Sequence, residues 1–181
     1  MSILTSPLKD FITVSGRKIK ICTDYRIWLE FEKILESDTD FYEKLCRALV
    51  LCVIKGEVLP ENAVDLFNGL LDFYIPGREN AKLQKKTGKK VFDADKDAEY
   101  ILASFRSVYG IDLLKCEMHW HEFLALLSAL PANCCLMQIV RIRQTDISDV
   151  PEAERSKFIK LNSRYELLGN CDAGEILSEA F

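Results

Sequence analysis

Long apolar runs and charge of one sign are both scarce in this sequence. No segment approaches the roughly 18 consecutive apolar residues that cross a bilayer. Residues 1–20 contain neither an uninterrupted apolar stretch nor a small-residue cleavage site, so we expect no secretory signal peptide. The formal net charge is only −4, from 24 basic and 28 acidic side chains. A charge this small does not favour a protein that coats nucleic acid or membrane by bulk attraction.

Glycine-rich ligand motifs are missing as well. Neither the phosphate-cradling loop nor the dinucleotide glycine pattern occurs among the 8 glycines. The acidic run that starts at Asp93 resembles the first half of a calcium loop. Its sixth position is Ala98 and its twelfth is Ser104, where such a loop needs glycine and glutamate. No cysteine lies in a setting that marks it as a reactive nucleophile. We therefore expect a protein that is not an enzyme and has no catalytic residues and no cofactor.

Seven cysteines without regular spacing are typical of reduced thiols in a cytosol, because an odd number cannot pair completely. Most of them lie in apolar runs, where a free cysteine acts as a small hydrophobic side chain. They are Cys22, Cys46, Cys52, Cys116, Cys134, Cys135 and Cys171.

One group of residues has the composition of a metal site: Cys116, His119 and His121, with Cys134 and Cys135 farther along the chain. Zinc needs about four converging ligands. If both histidines lie on one helix, their side chains point about 200° apart, since each residue turns by about 100°. We therefore expect no metal site, with one histidine near the core and the other exposed.

The remaining composition is that of a globular protein, with 49% apolar and 29% charged residues. Alternating apolar and polar residues over 11–21, around Ser15-Gly16, predict one β-hairpin. Apolar spacings of three and four predict about seven helices in the rest of the chain. The predicted fold class is mainly α, an irregular bundle of about seven helices with one N-terminal β-hairpin. We expect a single helical domain over residues 1–168 and a short C-terminal tail over 169–181.

Individual residues predict several helix ends. Thr23 is a predicted N-cap, Gly56 and Gly110 are predicted C-terminal stops, and residues 149–152 have the spacing of a capping box. In the second half of the chain, Asp95, Asp97 and Glu99 are predicted to lie in the first turn of a helix. Their negative charge there would complement the positive end of the helix dipole.

Residues 76–90 combine concentrated positive charge with little that can be buried. Because proline and glycine accompany the charges, we interpret this segment as an exposed, mobile loop between two helical halves. Such a loop suits an acidic or helical protein partner. Nucleic acid is a less favoured partner, because aromatic residues for base stacking are missing from the loop. The predicted partner-binding residues are its basic side chains and one tryptophan: Arg78, Lys82, Lys85, Lys86, Lys89, Lys90 and Trp120.

The two tryptophans, Trp28 and Trp120, fall on helical apolar stripes, which favours positions in the core. A helical bundle can nevertheless leave an apolar groove that receives a partner's amphipathic helix. For this reason Trp120 is kept among the predicted partner-binding residues.

Several short motifs follow the predicted hairpin in a recognisable order. In this order and spacing the chain resembles the bacteriophage gene-product-fifteen family of tailed phages and prophages of Gram-positive bacteria, over about residues 11–168. One position departs from the family pattern, since His121 stands where the family often has a second aromatic residue. The motifs are Thr23-Asp24-Tyr25-Arg26, Asp97–Ile101, Tyr109–Leu113, His119-Trp120, Phe123, Leu126-Leu127, Leu130-Pro131, Ile139 and Arg141-Ile142-Arg143.

This resemblance implies a siphovirus protein encoded among the tail genes, just before the tape-measure protein. Proteins at that position are tail assembly chaperones, which cover the aggregation-prone tape measure while the tail tube polymerises around it. The implied function is a chaperone that binds and shields the tape-measure protein in the cytoplasm of the infected or lysogenic host bacterium. A second tail assembly chaperone and a second copy of the chain are further partners that the resemblance leaves open, and no membrane contact is expected.

Two alternatives remain open at this point. The protein could be a structural tail completion or connector protein that is retained in the virion, and mass spectrometry of purified virions separates this role from that of a chaperone. It could also be a nucleic-acid-binding regulator that uses the lysine-rich segment. Salt-sensitive DNA binding tests the second alternative.

Overall fold

The computed structural model describes residues 7–55, 63–75 and 91–167. Over these residues the chain forms two strands, seven α-helices and one short 3-10 helix. This confirms the prediction of a mainly α protein with one N-terminal hairpin. The elements are β1 (Phe11–Val14), β2 (Arg17–Lys20), α1 (Tyr25–Glu36), α2 (Phe41–Cys52), α3 (Ala63–Tyr74), α4 (Ala98–Tyr109), α5 (Trp120–Ser128), α6 (Cys135–Gln144), the 3-10 helix (Ile147–Asp149) and α7 (Glu152–Tyr165).

The chain divides into two compact units, each built from two stretches of sequence. Unit 1 comprises Met1–Lys86 with Leu113–Ala129, and unit 2 comprises Thr87–Asp112 with Leu130–Phe181. The hairpin, α1, α2, α3 and α5 belong to unit 1, and α4, α6, the 3-10 helix and α7 belong to unit 2. The single domain predicted for residues 1–168 stays a prediction. The predicted loop at 76–90 and the predicted tail at 169–181 lie outside the described residues.

The hairpin of unit 1 forms where the alternating pattern predicts it. Phe11–Val14 pairs with Arg17–Lys20 in antiparallel orientation. Ser15 and Gly16 between the strands both have positive φ, at 49° and 77°. Positive φ at both residues gives the two-residue turn whose twist matches that of the flanking strands.

The hairpin packs closely against α3 at Gly69. A Cβ atom at this glycine would lie 3.2 Å from the side chains of both Ile12 and Val14. Because this distance is shorter than ordinary van der Waals contact, the missing side chain lets β1 approach the helix. The alternation of β1 thus buries Ile12 and Val14 against α3.

The first helix begins one residue later than predicted. Its N-cap is Asp24 and not Thr23, because Asp24 Oδ1 accepts a hydrogen bond from the Arg26 backbone N–H at 2.9 Å. The Thr23 carbonyl accepts the backbone N–H of Trp120 at 2.8 Å. Thr23 therefore joins the start of α1 to the start of α5.

The second helix ends earlier than predicted. Its C-cap is Val53 and not Gly56, because Val53 leaves the helix to form an antiparallel bridge with Ile21. The Cys22 N–H also donates to the Cys52 carbonyl at 2.8 Å. The last carbonyls of a helix need partners outside it, and the chain that follows β2 supplies one here.

Aromatic side chains from α1, α3 and α5 form the core of unit 1. Trp28 is fully buried, and its ring centroid lies 4.6 Å from that of Phe73. Tyr25 stacks on Phe123 at 4.7 Å. Such rings bury large areas and attract one another at these separations, so they hold the helices of unit 1 together. The buried aromatic residues of this unit are Tyr25, Trp28, Phe31, Phe67, Phe73, Trp120 and Phe123.

The fourth helix ends as predicted and begins differently. Gly110 ends it in the left-handed conformation, with φ of 69°. Asp97 is the N-cap of α4 and not a first-turn residue, and its side chain makes no capping hydrogen bond. The carboxylate is fully buried and pairs with Arg143. The first-turn position predicted for Asp97 is therefore wrong, whereas Glu99 lies in the first turn of α4 as predicted.

The predicted capping box at residues 149–152 is also wrong. Asp149 belongs to the 3-10 helix, and the N-cap of α7 is Pro151, which has no side-chain capping hydrogen bond. Glu152 still lies in the first turn of α7, where its charge complements the helix dipole.

Candidate functional site

The predicted basic residues Arg78, Lys82, Lys85, Lys86, Lys89 and Lys90 all lie outside the described residues. Their role in partner binding stays a prediction. Trp120, the seventh residue of this set, is described.

Trp120 lies in the core of unit 1. Its side chain is only 3% exposed, and its indole Nε1–H donates to the Tyr74 carbonyl at 2.9 Å. The indole stacks on the Tyr74 ring, with centroids 5.4 Å apart, and lies 5.8 Å from the Phe123 ring. The structure gives Trp120 a role in holding α5 against the end of α3. Its predicted role in partner binding stays a prediction.

The two histidines lie side by side, and the predicted divergence of about 200° is wrong. His119 is not in the helix but is the N-cap of α5, and its Nδ1 accepts the His121 backbone N–H at 3.1 Å. Because His119 lies outside the helix, the 100° rule does not apply to the pair, and the two ring centroids are 5.1 Å apart. Both histidines are partly exposed. His121 lies near the core as expected of one histidine, since its ring stacks on buried Phe73, but His119 is not the exposed residue expected of the other.

Both histidine rings serve the structure of unit 1. His119 Nε2 lies 3.0 Å from the Lys9 carbonyl, and His121 Nε2 lies 2.8 Å from the Phe73 carbonyl. Since a carbonyl can only accept, each Nε2 carries the proton and donates it. The His121 ring also stacks on the Phe73 ring at 4.4 Å. Burial lowers the pKa of His121 below its usual value, which favours the neutral ring.

The described residues contain no group of three or more His, Cys, Asp or Glu side chains that converges on one point as metal ligands would. Cys52 is fully buried, and burial raises the pKa of its thiol to about 12. A thiol with such a pKa remains protonated and is a poor nucleophile. Cys46 and Cys135 are exposed. In the part of the chain that the structure describes, no helix is both long and apolar enough to cross a membrane.

Unit 2 has a buried ion pair that no local sequence pattern predicts. Arg143 of α6 donates from Nη1 and Nη2 to the two carboxylate oxygens of Asp97, at 2.7 and 2.8 Å. Asp97 is 0% and Arg143 6% exposed. Arg143 also donates to the carbonyls of Val91 and Tyr165. One guanidinium therefore connects the start of α4, the end of α6 and the last residue of α7.

The surface of unit 1 has an apolar stripe on α2. Tyr42 is 76% and Val50 is 85% exposed, and the exposed Cys46 lies between them. Residues four apart share one face of a helix, so these three side chains form a continuous row. We call Tyr42, Cys46 and Val50 the α2 stripe. The opposite side of α2 is buried through Leu45 and Ala48.

A polar edge accompanies the α2 stripe. Glu43 and Arg47 form an exposed ion pair with a separation of 3.8 Å. Apart from these two residues and Lys44, the other nine of the twelve residues of α2 are apolar. A helix that is apolar on nearly all sides is typically buried, and this signal in the sequence could have identified the stripe.

A family model described as "Bacteriophage Gp15 protein" matches residues 4–167. The chain belongs to the Gp15 family. No curated protein and no solved structure matches it. The match confirms the resemblance found in the sequence and identifies the chain as a bacteriophage protein.

In this Gp15 family member, the described residues include an exposed apolar surface on α2. The α2 stripe can bury apolar area against another helix, and the Glu43–Arg47 pair beside it can fix the orientation of that helix. Full burial of one valine side chain contributes about 1.5–3 kcal/mol before the costs of association are subtracted. The α2 stripe is therefore the candidate functional site.

Proposed function

We propose that this protein is a phage tail assembly chaperone that binds and shields the tape-measure protein during tail morphogenesis. The observation that carries the proposal is the exposed apolar stripe on α2 in a chain of the Gp15 family. The proposed action is occlusion in the cytoplasm of the host bacterium, without catalysis and without a cofactor.

The α2 stripe has the chemistry that an amphipathic helix needs for docking. A long helical protein presents apolar side chains every three to four residues, and these aggregate when they are left in water. Tyr42 and Val50 lie two turns apart on one face of α2, which matches that spacing. Their burial against the tape measure would remove apolar area from water on both proteins.

A single stripe of three side chains gives a weak contact, and weakness suits a temporary shield. Stable protein interfaces bury about 800 Å² on each partner, which is more than one short helix face provides. Many copies along one long tape measure gain avidity without tight binding at any single site. Each copy can then leave as the tail tube subunits arrive.

Co-expression with the tape-measure protein of the same phage tests this proposal. We expect the wild-type chain to increase the soluble fraction of the tape measure, and Val50→Glu to abolish most of that increase. Ile159→Glu is the matched control, because Ile159 is an exposed apolar residue on α7 of unit 2. If both variants solubilise the tape measure as the wild type does, the α2 stripe is not the binding surface.

Analysis of purified virions separates the chaperone from the alternative, a tail completion or connector protein. A chaperone acts during assembly, so we expect the chain to be absent from finished particles by mass spectrometry. A fixed stoichiometric copy number in the virion would favour the structural role instead.

A further inference from the structure

The two outer residues of the α2 stripe are equally spaced about its central residue, Cys46. Tyr42 precedes Cys46 by four residues and Val50 follows it by four. We infer that two copies of this chain pair through α2 in antiparallel orientation, with Cys46 at the two-fold axis. The inference rests on the proposed function only in using the same surface, which the pairing covers until the tape measure replaces the second copy.

Side-chain sizes along the stripe fit this arrangement. In an antiparallel pair centred at Cys46, Tyr42 of one copy lies opposite Val50 of the other, so a large side chain meets a smaller one at both ends. Each of these contacts lies about 6 Å along the helix from the axis, at 1.5 Å per residue. A parallel pair would place two tyrosines together at one end and two valines at the other. The antiparallel pair therefore packs more evenly.

The charges beside the stripe favour the same arrangement. Glu43 and Arg47 lie on one edge of α2, and both are exposed. A two-fold axis perpendicular to the helices keeps that edge on the same side in both copies. Glu43 of one copy then lies about 3 Å along the helix direction from Arg47 of the other, at 1.5 Å per residue. Both copies gain an ion pair across the interface, and opposite charges at an interface fix its register.

The exposed area of α2 explains why the pairing would be reversible. Two further exposed apolar residues lie at the two ends of α2 and off the row of the stripe: Phe41, whose ring contacts that of Phe67 on α3, and Ile54, which follows the helix. Even with them, one helix face is smaller than the roughly 800 Å² that each partner buries in a stable complex. Reversible pairing keeps the apolar face covered at high concentration and releases it to a competing helix.

Sedimentation equilibrium of the purified full chain, without any tape-measure protein, tests the pairing. We expect a concentration-dependent dimer whose dissociation constant rises at least about tenfold in Val50→Glu, since a charge would be buried in the interface. Ile159→Glu should leave the dimer unchanged. A monomer at all concentrations, or a dimer that Val50→Glu leaves intact, overturns the inference. In the first case the tape measure alone would cover the stripe.

Crosslinking tests the orientation of the two helices. In a Cys135→Ser, Cys171→Ser background, a short bis-maleimide should link Cys46 to Cys46 of the second copy, and Cys46→Ser should abolish the product. With Cys46 replaced by serine, a mixture of Tyr42→Cys and Val50→Cys chains should crosslink, whereas either variant alone should not. Products from Tyr42→Cys alone would indicate parallel helices and overturn the inference.

These measurements contain no tape-measure protein, so their failure is distinguishable from failure of the proposed function. Absence of pairing with intact solubilisation by co-expression would overturn the pairing alone. Pairing with no effect on the tape measure would overturn the proposed function alone.

Discussion

The two units of this protein are organised around different chemistry. Unit 1 has an aromatic core, with both tryptophans of the chain and four buried phenylalanines. In the described part of unit 2 a single phenylalanine, Phe105, is buried, and a charged pair, Asp97–Arg143, lies fully inside. Aromatic rings bury large areas against many neighbours, whereas a bidentate ion pair joins only two side chains in one geometry. The stability of unit 1 therefore depends on many side chains, and that of unit 2 depends on a few.

Helix α7 shows most clearly that the stability of unit 2 depends on a few side chains. No residue of this helix is buried, so apolar burial contributes little to its attachment. The carbonyl of its last residue, Tyr165, accepts a hydrogen bond from the Arg143 guanidinium. The Tyr165 ring lies 6.2 Å from that of Tyr100 on α4. Arg143 thus links α7 to α4 and α6, the two helices that contribute the ion pair.

The largest effect is expected for Arg143→Met. The substitution leaves the Asp97 carboxylate buried without its cation, which costs about 3–5 kcal/mol of unfolding free energy. Native-state hydrogen exchange should show the loss in α4, α6 and α7 and much less in unit 1. Tryptophan fluorescence reports unit 1 alone, because Trp28 and Trp120 both lie there. Equal loss of protection in both units would contradict the contrast between them.

Two variants serve as controls for this effect. Arg141→Met removes an exposed arginine from the same helix and should change stability by less than about 0.5 kcal/mol. Asp97→Leu combined with Arg143→Met removes both charges, and apolar replacements of buried pairs are often neutral. We expect the double variant to recover about 1–3 kcal/mol of the loss. The carbonyls of Val91 and Tyr165 still lack their donor, so recovery should be incomplete.

The corresponding change in unit 1 is Trp120→Phe, with a smaller expected effect. It keeps a ring against Tyr74 and Phe123 but removes the N–H that donates to the Tyr74 carbonyl. This carbonyl is partly buried, and leaving a buried acceptor unpaired costs about 1–3 kcal/mol, so the loss should lie at the lower end of that range. Urea unfolding followed by circular dichroism measures the loss, and Tyr42→Phe on the exposed stripe should show almost none. A loss as large as that of Arg143→Met would mean that unit 1 also depends on single polar contacts.

The smallest expected effect is the pH dependence of unit 1. Burial lowers the folded-state pKa of His121, and the unfolded value is about 6.5. Below pH 6.5 the unfolded chain therefore binds more protons than the folded chain. Stability from this group is complete above pH 6.5 and falls as the pH drops toward the folded-state pKa.

Unfolding measured from pH 7.5 to 5.5 checks this expectation. His121→Phe keeps a ring against Phe73 and cannot be protonated, so it should reduce the slope of stability against pH. An unchanged slope in this variant would show that His121 does not cause the dependence.

Features set by neighbouring residues could be predicted from the sequence. The hairpin follows from alternation around Ser15-Gly16, and the end of α4 follows from Gly110, because both depend on local backbone conformation. The mainly α fold follows from apolar spacing. Helix starts were less accurate: placing His119 inside a helix led to the wrong geometry for the histidine pair.

Features set by distant residues could not be predicted in this way. Asp97 and Arg143 are 46 positions apart, and nothing near Asp97 distinguishes a buried carboxylate from one that complements a helix dipole. The α2 stripe was missed for a different reason. Apolar spacing identifies the side of α2 that is buried, but this helix is apolar on its exposed side as well.

Photocrosslinking from position 50 tests the central claim most directly. A photoreactive amino acid at Val50 should form covalent adducts with the tape-measure protein in cells that express the tail genes, because the α2 stripe lies against its helices. The same group at Ile159 should form few such adducts. Two results would contradict the assignment of the α2 stripe as the shielding surface: no tape-measure adducts from position 50, or equally abundant adducts from position 159.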